Sequence, residues 1–90
     1  MIMGLGTALY EAISFVDGQV ANANLSDYEI PSVADLPTRL THELLEKDGA
    51  EIHGLGETAL PPVPPAIGNA LGSLGVDVHE LPITAESVLA

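Results

Sequence analysis

Cysteine and tryptophan are absent from this chain, and Tyr10, Phe15 and Tyr28 are its only aromatic residues. Without cysteine there are no disulfides and no thiolate metal ligands. Aromatic side chains bury the most area each, so a core nearly free of them is weak. A chain of 90 residues also has only enough length for one small domain, which buries at best about two-thirds of its unfolded surface. Positive charge is equally scarce. Arg39 and Lys47 stand against 13 Asp and Glu, for a formal net charge of −11. That balance repels phosphate backbones and anionic bilayers, which argues against nucleic-acid and membrane partners. No apolar run is long enough to span a bilayer. Met1-Ile2-Met3-Gly4 lacks the basic region of a signal peptide, so a cytoplasmic setting is expected. The Asn24-Leu25-Ser26 sequon is then a chance match.

What the chain does have is a 47% apolar content, interrupted by nine Gly and seven Pro. Leu5, Ala8, Leu9, Ala12 and Ile13 recur at helical spacing, which predicts a helix over residues 2–13. Gly4 and Gly6 in its first turns point to close approach of the backbone to another group, either a packed helix or a ligand. Asp17-Gly18 between Phe15-Val16 and Gln19-Val20 predicts a tight hairpin. Residues 28–30 and 76–79 read as short strands, the second with Val76 and Val78 alternating with Asp77 and His79. Residues 38–46 fit a helix through Leu40, Leu44 and Leu45. They fit a strand equally well, with Arg39, Thr41 and Glu43 alternating with Leu40, His42 and Leu44. Lys47-Asp48-Gly49 marks a turn. Leu60-Pro61-Pro62-Val63-Pro64-Pro65 is expected to be extended or polyproline-like. A helix follows through Ile67, Ala70, Leu71 and Leu74, closed by Gly75. Thr84 is placed to cap a last helix over 85–89. The resulting fold class is α+β (or α/β), with short elements and Gly/Pro-rich loops that suit part of a larger domain.

Among residues able to carry chemistry, Gly54-Leu55-Gly56-Glu57 is the most informative. Two glycines let the main chain pass close to a bulky ligand and leave a carboxylate at the loop exit. A carboxylate desolvated by an apolar pocket becomes a useful general base near neutral pH. Taken alone, a solvated turn explains the same residues. His42, His53 and His79 are too scattered for a metal site, so no metal ligand is expected. The carboxylates at 43, 46 and 48 read as a solvated edge. No serine lies in a nucleophile elbow.

Taken in order, these pieces resemble the C-terminal end of the molybdopterin-binding large subunit in the xanthine dehydrogenase and aldehyde oxidase family of molybdenum hydroxylases. The resemblance rests on Met3 to Glu11, on Asp17-Gly18 through Asp27-Tyr28 and Ile30-Pro31, and on Gly54 to Glu57. It rests also on Pro65 to Ala70 with Gly75-Val76 and Leu81 to Thr84. It covers residues 1–90 as an incomplete part of the cofactor-binding domain.

The resemblance implies hydroxylation of an aldehyde or N-heterocycle carbon with water, with Glu57 as the catalytic base that activates the Mo–OH group. It implies that Met3, Gly4, Gly54, Leu55 and Gly56 border a molybdopterin-type cofactor held mostly by residues outside this chain. It implies 2Fe–2S and FAD centres on other domains or subunits, the remainder of the subunit as partner, and a small-molecule substrate. The chain departs from the family pattern at Met3, where Gln is frequent, at His53, where Lys is frequent, and at Thr58, where Pro is common. Met1 is expected to be an internal methionine of a longer protein. The other readings are a small acidic interaction module docking through 60–65, or a separately translated subunit that completes a split enzyme.

Overall fold

A computed structural model describes every residue from Met1 to Ala90. In chain order it contains helix α1 (Ile2–Leu9), the strands β1 (Phe15–Val16) and β2 (Gln19–Val20), and a 3-10 turn at Val33–Asp35. Helices α2 (Val63–Gly72) and α3 (Ala85–Leu89) follow. No helix is long and apolar enough to cross a membrane. The buried residues are Gly4, Gly6, Ala8 and Ile83. Three of them lie on α1, so this helix is the hub on which later segments pack.

Each small residue of α1 receives a different part of the chain. A Cβ on Gly4 would lie 2.6 Å from Val63 Cβ and 2.9 Å from the Leu60 carbonyl oxygen, so the missing side chain is what lets the start of α2 approach. A Cβ on Gly6 would meet the Glu11 carboxylate and lie 2.7 Å from Pro31 Cδ. The Ala8 carbonyl accepts a hydrogen bond from the Ile83 N–H at 2.7 Å.

The helix expected over 2–13 stops at Leu9. Tyr10 N–H and Glu11 N–H both donate to the Gly6 carbonyl, at 2.9 and 2.8 Å. Tyr10 then leaves the helical backbone region (φ −126°, ψ −46°), and Ala12 and Ile13 fall outside the helix. The hairpin forms as its turn chemistry requires. Asp17 and Gly18 both have positive φ (50° and 78°), and Phe15 pairs with Val20 and Val16 with Gln19. Asn22 extends the hairpin by accepting from Ser14 N–H at 2.9 Å and donating to the Ala12 carbonyl at 2.7 Å.

The strands expected at 28–30 and 76–79 do not form, and residues 38–46 are neither strand nor helix. A strand needs a neighbour to accept its ladder, and the chain provides none for these segments. The proline run also differs from expectation. Pro62 is in the helical region (φ −71°, ψ −15°), and Pro64 and Pro65 form the first turn of α2. Proline suits that turn because its missing N–H has no helical partner there. At the far end Gly75 has φ 83°, and Val76 N–H reaches back to the Leu71 carbonyl at 3.1 Å. Thr84 caps α3 by accepting from Ser87 N–H at 3.2 Å, while Ser87 Oγ accepts from Thr84 N–H at 3.0 Å.

Candidate functional site

The Gly54–Glu57 loop lies in a stretch, residues 32–59, in which every residue is exposed. No atom lies within 4 Å of the position a Cβ would take on Gly54 or Gly56, and Gly56 has φ +47°. The loop is held from its exit side. Thr58 N–H donates to the Leu55 carbonyl at 2.9 Å, Leu60 N–H to the Glu57 carbonyl at 2.9 Å, and Val63 N–H to the Leu60 carbonyl at 3.1 Å. Thr58 Oγ1 donates to the same Leu55 carbonyl. These linked turns carry the chain from the loop into α2.

The exit is where the two glycine segments singled out in the sequence meet. Leu60 and Val63 are the residues against Gly4, so the start of α1 and the end of the Glu57 loop are neighbours. Met3 is exposed beside this contact and Leu55 projects from the loop. Gly4 itself is buried. Its open face is filled by Val63 and Leu60, so it acts in helix packing rather than as a surface left free for a ligand. His42, His53 and His79 do not converge, and no group of three or more His, Asp or Glu side chains is placed to hold a metal ion.

A second polar cluster escaped the sequence reading. Tyr28 donates its hydroxyl hydrogen to Glu11 Oε2 at 2.8 Å. That bond, followed by desolvation and the Glu11 charge, raises the Tyr28 pKa. Asp35 accepts from Ser32 N–H at 2.7 Å, from Ser32 Oγ at 2.8 Å and from the Tyr10 hydroxyl at 3.4 Å. The Ser32 main chain first, then its hydroxyl, hold the Asp35 carboxyl below the usual aspartate range. Ser32-Val33-Ala34-Asp35 has the spacing of a capping box, and that signal was available in the sequence. The Glu11–Tyr28 pair had none, because it joins positions far apart in the chain. The two tyrosine bonds tie the 28–35 segment to Tyr10 and Glu11, just past the hub helix, and Pro31 is seated on Gly6 of the helix itself.

The arrangement offers one exposed carboxylate on an uncovered, glycine-flanked main chain whose exit is clamped to the buried face of α1. Such a loop can lie against a flat, bulky group and present a proton acceptor to it. Arg39 and Lys47 both fall outside the loop and outside α1, so the fit is to main-chain contact and base chemistry rather than to phosphate neutralisation.

Comparison with known proteins gives this neighbourhood a lineage. Residues 1–37 match the molybdopterin cofactor-binding domain family. The xanthine dehydrogenase molybdenum-binding subunit of Escherichia coli O157:H7 is 41% identical over 90 residues, covering 93% of this chain and 12% of the relative. The aldehyde oxidoreductase molybdenum-binding subunit PaoC of Escherichia coli K12 is 34% identical over 96 residues, covering 99% of this chain and 13% of the relative. A nicotinate dehydrogenase subunit of Pseudomonas putida is 34% identical over 91 residues, covering 100% of this chain and 8% of the relative. The chain thus spans about an eighth of the length of the first two relatives.

Proposed function

The chain belongs to the family of xanthine dehydrogenase and aldehyde oxidoreductase molybdenum-binding subunits, and from that membership we propose that it delivers the catalytic base, Glu57, to a hydroxylase acting on an aldehyde or N-heterocycle. In this reading residues 1–90 are an incomplete α+β portion of the molybdopterin-binding domain. The rest of the subunit holds most of the cofactor. Iron–sulfur and FAD centres on other domains or subunits carry the electrons away.

One observation carries the reading. The Gly54–Glu57 loop is uncovered, while its exit is fixed on the buried Gly4 of α1. A base must be held within hydrogen-bond reach of the proton it takes, so a clamped exit is what its task needs. Gly54, Leu55 and Gly56 would run along the cofactor, with Met3 at its edge and Gly4 supporting the loop from behind. The molybdenum cofactor, when bound, supplies the redox centre that accepts two electrons from the substrate carbon. The net reaction converts C–H and water into C–OH, two protons and two electrons. Glu57 takes up one of those protons from the water-derived oxygen and returns it to solvent. The Met3 side chain carries no donor for a phosphate, so its own contact with that edge of the cofactor would be apolar.

Glu57→Gln in the intact subunit keeps the size and hydrogen-bonding shape of the side chain and removes its ability to accept a proton. Turnover is expected to fall by at least about a hundredfold, the lower range for loss of a general base, with molybdenum content unchanged. Near-normal turnover in that variant would reject Glu57 as the base. The interaction-module reading finds no support in the geometry, since Pro64 and Pro65 are inside α2 and Val63 is packed on Gly4.

A further inference from the structure

The chain makes a single main-chain hydrogen bond between distant segments. Ile83 N–H donates to the Ala8 carbonyl at 2.7 Å, whereas all other main-chain bonds stay within a helix, the hairpin or a local turn. The side chain marks the same residue. Ile83 is 7% exposed, and it is the only buried residue beyond Ala8 and the only one larger than alanine. Around it the tail is loose, since no main-chain N–H from Asp77 to Pro82 donates within the chain. One residue therefore supplies both the tail's hydrogen bond to the hub helix and its buried side chain.

Ala8 is a place where α1 needs a partner. The last four carbonyls of a helix receive no bond from within it, and α1 ends at Tyr10 (φ −126°) without a glycine cap. Ala8 is fully buried, so water does not reach its carbonyl, and a buried acceptor left unpaired is costly. Ile83 answers from the far end of the chain. Gly4 and Ala8 stand one turn apart, at the spacing that shares a helix face. Val63 and Leu60 lie against Gly4 and Ile83 caps Ala8, so the loop exit and the tail are seated on one stripe of α1. Ile83 and Leu81 also line one hollow with Pro64, Pro65 and Gly68 of α2.

We propose that Ile83 is a positioning residue for the Glu57 loop: by fixing the end of α1, it fixes the stripe on which the loop exit is seated. The path is short. Ile83 holds Ala8, and α1 carries that hold one turn back to Gly4. Val63 and Leu60 rest on Gly4, and Leu60 N–H donates to the Glu57 carbonyl at 2.9 Å. Helix α1 has only 8 residues, too few to be stable alone, so its geometry depends on what is packed against it. The coupling of Ile83 to the loop exit stands without any role for Glu57, whereas its effect on turnover rests on the proposed base.

Ile83→Val and Ile83→Ala in the intact, cofactor-loaded subunit test both parts, because they shorten the side chain and keep the N–H. Residue-resolved amide exchange reads the coupling. The Leu60 and Val63 amides should exchange at least about threefold faster in Ile83→Val, while the hairpin amides between Phe15 and Val20 keep their parent rates. Unchanged rates at Leu60 and Val63 overturn the coupling. So does an equal rise in the hairpin, which would mean a general loss of stability. Turnover per bound molybdenum reads the positioning. In Ile83→Ala kcat should fall by about tenfold or more, within the hundredfold that an ångström of misplacement costs, with KM held and a smaller fall in Ile83→Val. An unchanged kcat in both variants, or a KM that rises while kcat holds, overturns the positioning role even where the melting temperature drops. If Ile83→Ala loads no molybdenum, Ile83→Val decides alone, and an unchanged kcat there overturns the role. Near-normal turnover in Glu57→Gln removes the base and leaves the exchange result standing, so the two failures are distinct.

Discussion

The bond from the Tyr28 hydroxyl to Glu11 Oε2, 2.8 Å long, exists only while the phenol keeps its proton. Glu11 raises the Tyr28 pKa in the folded chain, whereas the unfolded phenol titrates near its ordinary value of about 10. The stability this bond contributes is therefore complete below the unfolded value and is lost as pH rises through the raised folded one. Carbon-13 NMR of labelled tyrosine in the intact subunit, with Tyr28→Phe identifying the signal, should give a midpoint above the ordinary value. Glu11→Gln should bring that midpoint down, and an unmoved midpoint would contradict the pairing. Asp35 has the opposite sign. Its carboxyl is held low by Ser32, so its contribution is present above the ordinary aspartate range and is lost as pH falls through the lowered folded value. Near neutral pH the Tyr28–Glu11 bond, which ties the segment to the chain just past α1, and the Asp35–Ser32 cap within the segment are both intact. At this scale Glu57 was legible as part of a tetrapeptide. Its exposure was not, because four residues do not say what covers them.

Helix α1 depends on two missing side chains. In Gly4→Ala the new Cβ would lie 2.6 Å from Val63 Cβ and 2.9 Å from the Leu60 carbonyl, against main chain and a branched carbon rather than a flexible tip. The start of α2 must then move, at a cost of about 1–3 kcal/mol typical of overpacking. The intact subunit should melt at a lower temperature, and its turnover should fall with the displaced loop exit. An unchanged melting temperature would show that α1 and α2 do not meet at Gly4. The elements legible in the sequence are those built from local signals. Asp17-Gly18 sets its own turn, Thr84 and Ser87 cap α3 between themselves, and Gly75 closes the turn that follows α2. The strands expected at 28–30 and 76–79 do not form in this chain because alternation records which face is apolar, while pairing requires a partner elsewhere. The run Leu60–Pro65 was misread for a different reason. Proline fixes φ near a value shared by polyproline and by the first helical turn, and ψ, which separates the two, is left open. At Pro62 ψ is −15°, and the chain enters the helix.

At the scale of the whole molecule the surface is too large for the mass. Its accessible area is 7606 Å², against about 5,000 Å² for a compact monomer of this size. The radius of gyration is 16.5 Å, where a compact domain of this length has about 12 Å. The chain makes 33 main-chain hydrogen bonds, roughly half of what a compact domain of its length forms. The exposure is most continuous in one stretch. Residues 32–59 are exposed without exception, and the buried residues gather on α1 and at Ile83. The excess area is far above the ~800 Å² that one partner buries in a standard protein interface, and is closer to a domain core cut open. The isolated 90-residue chain should accordingly lack a sharp thermal transition, bind an apolar dye strongly, and fail to retain stoichiometric molybdenum after purification. Calorimetry, dye fluorescence and metal analysis on that chain check the three points. A sharp melt with weak dye binding would mean that the exposed leucines at 40, 44 and 45 find cover within the chain itself. Broad melting and strong dye binding that vanish when the rest of the subunit is supplied would show that it covers the apolar surface to which those leucines belong.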